Sequence, residues 1–483
     1  MNDRRPATSR WFDRFLVPRA RREAIRTTLW IVPSAMVVLI AALFGITYGL
    51  DRLAANHAFP LPAFVTSGSP DAARQILIAI AAAVITVAGV VFSITILVLQ
   101  LASQQFGPRM LRNFIRDIGT QFSLGAFVAT FVYSVLALGA VESAPASDFV
   151  PHICVTAALA LTLVDLGILI YFIHHVATSI QLTSVVSGIA RDFRSTLANL
   201  QADMGNSRPP RVAEPHPSEI GENVLAVGAP VFAHASGFIQ SVGHRHLMAI
   251  AVSSDSVIRL IRRPGHFVLE GQPVAFVVPI HTARDVSAAL NRAHIVGPNR
   301  TLTQDLGFAV DQLVEVAIRA LSPAVNDTFT ALNCIDWLGD CLCYAAASRL
   351  PDGIHRDASG HVRIIEPVVT VDRLIKGATD KIRQAGSGMP AVFIRQLENL
   401  GKLLQVVGSP ALRVVVADHA LRILSAADAT VRDESDRVDV RTAFDATMSR
   451  MDIGASARDS WRPEALTVIP EPRHSERAAP RRP

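Results

Sequence analysis

Lysine is almost missing from this chain: three of its 46 basic residues are lysine (Lys376, Lys381, Lys402) and the rest are arginine, as a GC-rich genome would encode. Against 41 acidic residues the net charge is only +5, a balance that carries no nucleic-acid signal. Cysteine is also scarce. Of the four, Cys334, Cys341 and Cys343 fall within ten residues of one another and Cys154 stands apart, a pattern that suits neither a paired disulfide framework nor zinc knuckles. These are expected to be small apolar side chains in a reducing compartment. A phosphate-cradling glycine loop is absent, and no nucleophile stands at a recognisable interval from a base. No catalytic residues and no cofactor are therefore assigned, and an enzyme is not expected.

What the chain has in excess is apolar residues, half of all 483, with positive mean hydropathy. Four stretches reach the length of about 20 apolar residues that a bilayer crossing needs: Thr27 to Leu50, Gln75 to Leu99, Gln121 to Val141 and Pro151 to His175. The first apolar run is too long for a signal-peptide core and no small-x-small cleavage site follows it. Arginines 4, 5, 10, 14, 19, 21, 22 and 26 precede the first span, Arg109, Arg112 and Arg116 lie between spans two and three, and Arg191 and Arg194 follow span four. The opposite side carries only Arg52 and Arg74. The positive-inside bias then puts both termini in the cytoplasm.

Within the spans, Gly125, Ala129 and Ser134 give the third helix a side of small residues for close packing. Asp165 lies near the middle of the fourth span, where an ionisable group needs a partner or water. Gln100 and Gln104 at the end of span two, with His174 and His175 at the end of span four, complete a candidate polar site in the membrane.

The expected organisation is a basic N-terminus (1–26), a four-helix transmembrane domain (27–177), a stalk helix and Pro-rich linker (178–218), a small β-module (219–290), a helical domain (291–452) and a disordered tail (453–483). Val257 to Ile261 and Val274 to Val278 have strand length and composition. The spacing of "SGFIQSV" and "PGHFVLEGQPV" resembles half-motifs of biotinyl/lipoyl-like β-sandwich modules, but the lysine that carries a prosthetic group is lacking. His234, His244, His246, His266 and His281 cluster here, and His244 and His246 would share one face of a strand. Such histidines are commoner on β-module surfaces than in metal sites, so no metal is assigned. Farther on, Thr301 and Gln304 suit a capping box, and Glu315 with Arg319 an exposed i,i+4 pair.

"RALSPAVNDTFTALNCIDWLGD" (Arg319 to Asp340) sets a polar turn between two helices. Proline at 323 disfavours helical geometry in Ser322, and Asn326 or Asp327 is placed to cap the second helix. Asp336 and Asp340, one turn apart, need a cation nearby; Arg319, Arg300 or a metal would serve. Arg319, Ser322, Asn326, Asp327, Asp336 and Asp340 are thus a candidate site. With arginine from another subunit the acidic face is an assembly contact; unpaired and recessed, it is a pocket.

Three stretches, "FSITILVLQLASQQFGPRMLRNFIRDIGTQFSLGAFVATFVY" (Phe92 to Tyr133), "YFIHHVATSIQ" (Tyr171 to Gln181) and "RALSPAVNDTFTALNCIDWL" (Arg319 to Leu338), together resemble the bacterial membrane protein family known as domain of unknown function 2254. That family usually has proline after Asn-Asp, where Thr328 stands here. The resemblance implies a bacterial inner-membrane protein and supplies no activity. The residues suggest a homo-oligomeric, channel-like or transport protein in the lipid bilayer, passing an unknown ion or small ligand under a cytoplasmic regulatory domain. The alternative is a non-transporting, membrane-anchored interaction or signalling protein.

Overall fold

The structure, a computed structural model, describes residues 30–55, 69–106, 117–141, 149–179, 181–203, 217–348 and 350–451. Most of the arginines that set the orientation, most of the expected linker and the expected tail lie outside these residues. The chain divides into two units, one up to Val185 and one from Val186.

The first unit holds four helices long and apolar enough to cross a membrane: α1 (Ile31–Ala55), α2 (Pro70–Phe106), α3 (Ile118–Gly139) and α4 (His152–Ser179). Each expected span is present, with ends shifted by up to seven residues. α2 has 37 residues, about 55 Å at 1.5 Å per residue, so it outruns the roughly 30 Å hydrocarbon core and leaves Gln100 and Gln104 near its end. α3 is the central helix and packs against the other three. Small residues make that position available: a Cβ on Gly125 would lie 2.7 Å from Met36 Sδ and 3.1 Å from Pro33 Cα of α1, while Ala129 and Ser134 are buried. Without a hydrophobic driving force between helices in lipid, such close backbone approach is what holds a bundle together. Leu163, Val164, Leu166, Ile170 and Ile173 lie exposed on α4, as lipid-facing side chains require.

One polar contact ties α1 to α4. The Asp51 carboxylate, 3% exposed, accepts hydrogen bonds from the backbone N–H groups of Ile153 (2.8 Å) and Cys154 (2.9 Å), which the first turn of α4 cannot satisfy internally. Asp51 thus caps a helix more than 100 residues away. Asp51→Ala is expected to cost about 1–2 kcal/mol, seen as a lowered melting temperature in detergent, and Asp51→Asn, which keeps one acceptor oxygen, less.

The second unit begins with α5 (Leu182–Asp203), whose residues from Val186 onward belong to it, and α6 (Pro217–Val227). The segment expected to be a stalk is therefore two helices, α4 ending at Ser179 and α5 starting at Leu182. Val186, Ile189, Ala190, Phe193 and Leu197 of α5 are at most 1% exposed, which makes it a packed helix. Then follow β1 (Ala229–Phe232), β2 (Gly237–Val242), α7 (His244–Ser253), β3 (Val257–Leu260), β4 (Phe267–Val268), β5 (Pro273–Val278), α8 (Ala283–Ala293) and β6 (His294–Gly297). Next come α9 (Leu306–Ala320), α10 (Thr328–Ala347), β7 (Ile354–Arg356), β8 (Val362–Ile365), α11 (Val371–Ala385), α12 (Pro390–Val406), α13 (Pro410–Thr430) and α14 (Glu434–Met448).

The strands form a five-stranded sheet of order β1-β5-β3-β8-β7 and a three-stranded sheet of order β4-β2-β6. β3 and β5 are the two runs read as strands. Residues of both sheets share one core, but Leu247 and Ala251 of α7 and Val286 and Leu290 of α8 enter it too, so the module is a mixed α/β layer and not an all-β sandwich. It also reaches past residue 290. β8 pairs in parallel with β3, Ile258 opposite Ile364, so a short hairpin inside the expected helical domain completes the sheet. The final helices pack on one another, α12 against α10, α13 and α14.

The expected capping box is not formed. Asp305, not Thr301, caps α9 and accepts from Phe308 N; Thr301 Oγ1 donates to Gln240 O, and Gln304 bonds both N–H and C=O of Val242. These residues clamp strand β2 instead. The cysteines are free, and burial pushes the thiols of Cys334 and Cys343 up to about 12, which keeps them protonated and inert.

Candidate functional site

In the first unit, Asp165 is 5% exposed and its Oδ2 has no hydrogen-bond partner among the described residues. Thr130 of α3, itself 2% exposed, is its hydrogen-bonding neighbour. The carboxylate therefore faces the interior of a single-chain bundle. The other residues of the expected membrane site are not gathered around it. His175 bonds Asp117 Oδ2 at 2.7 Å and stacks on Tyr171, ten residues along α4 and so about 15 Å away. His174, Gln100 and Gln104 are exposed.

Around α3 the interior is more polar than its hydropathy suggests. Thr120, Gln121, Ser123, Thr130, Tyr133 and Ser134 are all buried. Ser123 and Ser134 hydroxyls donate to carbonyls one turn back, which satisfies the donor and leaves lone pairs free to accept. Tyr133 Oη meets Thr47 Oγ1 at 2.8 Å, and Cys154 Sγ lies 3.4 Å from the same hydroxyl. Polar groups thus flank Asp165 toward both ends of the helix, with Phe127 buried between Ser123 and Thr130.

In the second unit, the turn of residues 321–327 is a capped junction. Asn326 adopts φ +50°, a left-handed conformation that asparagine tolerates. Asp327 is the cap, accepting from Thr330 N at 3.0 Å and from the Thr330 hydroxyl; these bonds lower its pKa. Ser322 Oγ donates to Arg319 O. The acidic face has partners other than those expected: Asp336 pairs with Arg395 and Asp340 with Arg194 at 2.5 and 2.7 Å. Arg194 also lies over the Tyr344 ring. Both arginines belong to the same chain, so the face is neither an unpaired pocket nor dependent on a second subunit. Arg300 instead pairs with Asp305 and Asp311, and Glu315 and Arg319 are half-buried. Beside the turn, Phe329 is 85% and Val325 54% exposed.

The histidine cluster is rearranged more deeply. Gly243 precedes helix α7, so His244 and His246 stand two residues apart on a helix, about 200° around its axis, and do not share a face. His244 is joined by residues more than a hundred positions on. Its Nε2 lies 2.9 Å from Glu366 Oε2, and His355 Nε2 lies 2.9 Å from Glu366 Oε1. The two imidazoles stack with centroids 4.4 Å apart and planes 20° from parallel. Burial alone would raise the Glu366 pKa, but the charges and hydrogen bonds of His244 and His355 hold it down at about 2. His294, 5% exposed, has an Nε2 without a partner among the described residues; burial drives its pKa to about 4, so it is neutral at physiological pH. His244 and Glu366 border a small open cavity of about 50 Å³, together with Arg263, Gln304, Leu306 and Val368.

Residues 26–402 match the family described as predicted membrane protein, DUF2254. The chain belongs to this family. It is similar to an uncharacterized protein of Mycobacterium bovis and to one of Mycobacterium tuberculosis strain H37Rv, each 32% identical over 434 residues, or 86% of this chain and 80% of the relative. No solved structure matches it. For this DUF2254 protein, sequence reasoning singled out Asp165, Asp327 and His244 but missed Asp51, His355 and Glu366. A faint signal for the last two exists: "IHR" and "VRIIE" flank the Asp-Ala-Ser-Gly turn of a hairpin, and Glu366 closes an apolar run where a charge is out of place.

Proposed function

We propose that this DUF2254 protein is an inner-membrane protein with both termini cytoplasmic, whose four-helix unit binds and passes a proton or small cation in a channel-like or transport role, with the second unit as its regulatory domain. The observation that carries this reading is Asp165: a mid-span carboxylate, 5% exposed, with one oxygen unpartnered among the described residues. An ionisable side chain is costly at that depth and persists where it does work. Thr130, Ser134, Thr47 and Tyr133 supply hydroxyls toward one end of the bundle and Ser123, Thr120 and the Asp117–His175 pair toward the other. The route lies within one chain. Homo-oligomeric assembly is a separate part of the proposal, checked by native mass measurement in detergent.

The test is flux into liposomes holding a pH-sensitive dye, repeated with potassium and sodium gradients. Wild type is expected to conduct and Asp165→Asn to lose at least about tenfold in rate, with unchanged helicity and melting. Absence of flux from folded wild-type protein would sink the reading. The second reading, a membrane-anchored interaction protein, is favoured by the apolar tip at Val325 and Phe329. It is the one to adopt if Phe329→Ser abolishes biological function while Asp165→Asn leaves it intact.

A further inference from the structure

We propose that His244, His355 and Glu366 form a binding site for a divalent transition metal ion of the zinc class. This inference is independent of the role of Asp165. The three residues come from three elements: His244 opens α7, His355 is the middle residue of β7, and Glu366 directly follows β8. Their donor atoms lie within 4.8 Å of one another. Two imidazoles and one carboxylate are a donor set that zinc accepts, with ligand distances of about 2.0–2.2 Å and a fourth position left for water or a ligand. Donors around a tetrahedral ion of that size stand about 3.3 Å apart. His244 Nε2 is 2.9 Å from Oε2 and His355 Nε2 is 2.9 Å from Oε1, so an ion between the imidazoles would either take both carboxylate oxygens or draw the two nitrogens toward one of them, starting from donors already within 4.8 Å.

Three further features point the same way. The side chains of His244, His355 and Glu366 are 18%, 15% and 10% exposed, so they are held rigidly while remaining reachable. His244 and Glu366 line the open cavity, which gives an ion a way in. His294 is paired across the sheet with Val242, two residues before His244, and is a buried imidazole whose Nε2 has no partner among the described residues. An imidazole nitrogen of that kind can bond a metal or its bound water. The competing arrangement is a carboxylate bridged by two imidazole N–H groups with no ion, and the experiment separates the two.

Full-length protein in detergent is stripped with a chelator and titrated with Co²⁺. The expected result is uptake of about one equivalent per chain with the visible absorption of four-coordinate cobalt, displaced by Zn²⁺. His355→Asn and Glu366→Gln are each expected to weaken binding by about tenfold or more, measured on variants shown to be folded by their helicity. Stripped, folded wild type that takes up no Co²⁺ overturns the proposal, as do folded variants that bind like wild type. Should the variants fail to fold, wild type is treated with diethylpyrocarbonate with and without Zn²⁺. Protection of His244 and His355, with His361 (62% exposed) still modified, supports the site; equal modification in both conditions overturns it.

Discussion

Asp305→Ala is expected to lower the unfolding free energy of the second unit by about 3–5 kcal/mol, the range for breaking one side of a buried ion pair. The Asp305 side chain is fully buried. Its Oδ2 accepts from Arg300 Nε and Nη2, each at 2.8 Å, and Arg263 Nη1 stands 3.8 Å from Oδ1. The same carboxylate caps α9 through Phe308 N at 3.2 Å. Alanine would remove the cap and leave two largely buried guanidinium groups short of a counter-charge. Arg300 keeps Asp311 at 2.6 Å, which places the loss nearer the lower end of the range. Denaturant titration in detergent, followed by near-ultraviolet circular dichroism, measures it. Asp305→Asn, which retains a capping oxygen, is expected to fall between wild type and alanine. A loss below about 1 kcal/mol for Asp305→Ala would mean that the arginines find other partners.

The second large effect is expected at Gly353, just before β7. Gly353 has φ +73°, a region that costs a residue with a Cβ about 1–2 kcal/mol. A Cβ there would also stand 2.2 Å from the carbonyl oxygen of Glu366 and 3.0 Å from Val368 Cγ1. Backbone oxygen cannot swing aside as a side chain can, because Glu366 N donates to Gly353 O at 2.8 Å and holds the two segments together. Gly353→Ala should therefore open the β7–β8 hairpin at a cost above about 2 kcal/mol. It should also displace Glu366 and His355 and weaken Co²⁺ uptake. Gly271→Ala is the control: its φ is +76°, but no atom lies within 4 Å of the added carbon, so it pays strain without collision. Equal melting temperatures for the two variants would remove the clash from the explanation.

Much of this architecture was legible in the chain. Four apolar runs predict four spans because bilayer thickness converts directly into residue number. Asp327 reads as a cap because its carboxylate serves an N–H three residues on, and β3 and β5 read as strands from local composition. What failed depended on distance. The "HRH" segment was expected on a strand, yet Leu247 and Ala251, one helical turn apart, bury into the core and make it α7. β8 was missed because four residues carry too little pattern to outweigh the helices around them, and it is a strand because β7 pairs with it on one side and the open edge of β3 on the other.

By itself, then, the sequence determined the membrane class, the number of spans, the mid-span carboxylate and the capped turn, because each follows from hydropathy, spacing or neighbours within a few residues. Tertiary structure alone decided that Asp165 faces inward onto Thr130, that Asp336 and Asp340 take Arg395 and Arg194, and that His244 meets His355 and Glu366. Those partners are 35 to 146 residues apart, and short-range electrostatics and hydrogen bonds act only once packing of the apolar faces has brought them within a few ångströms.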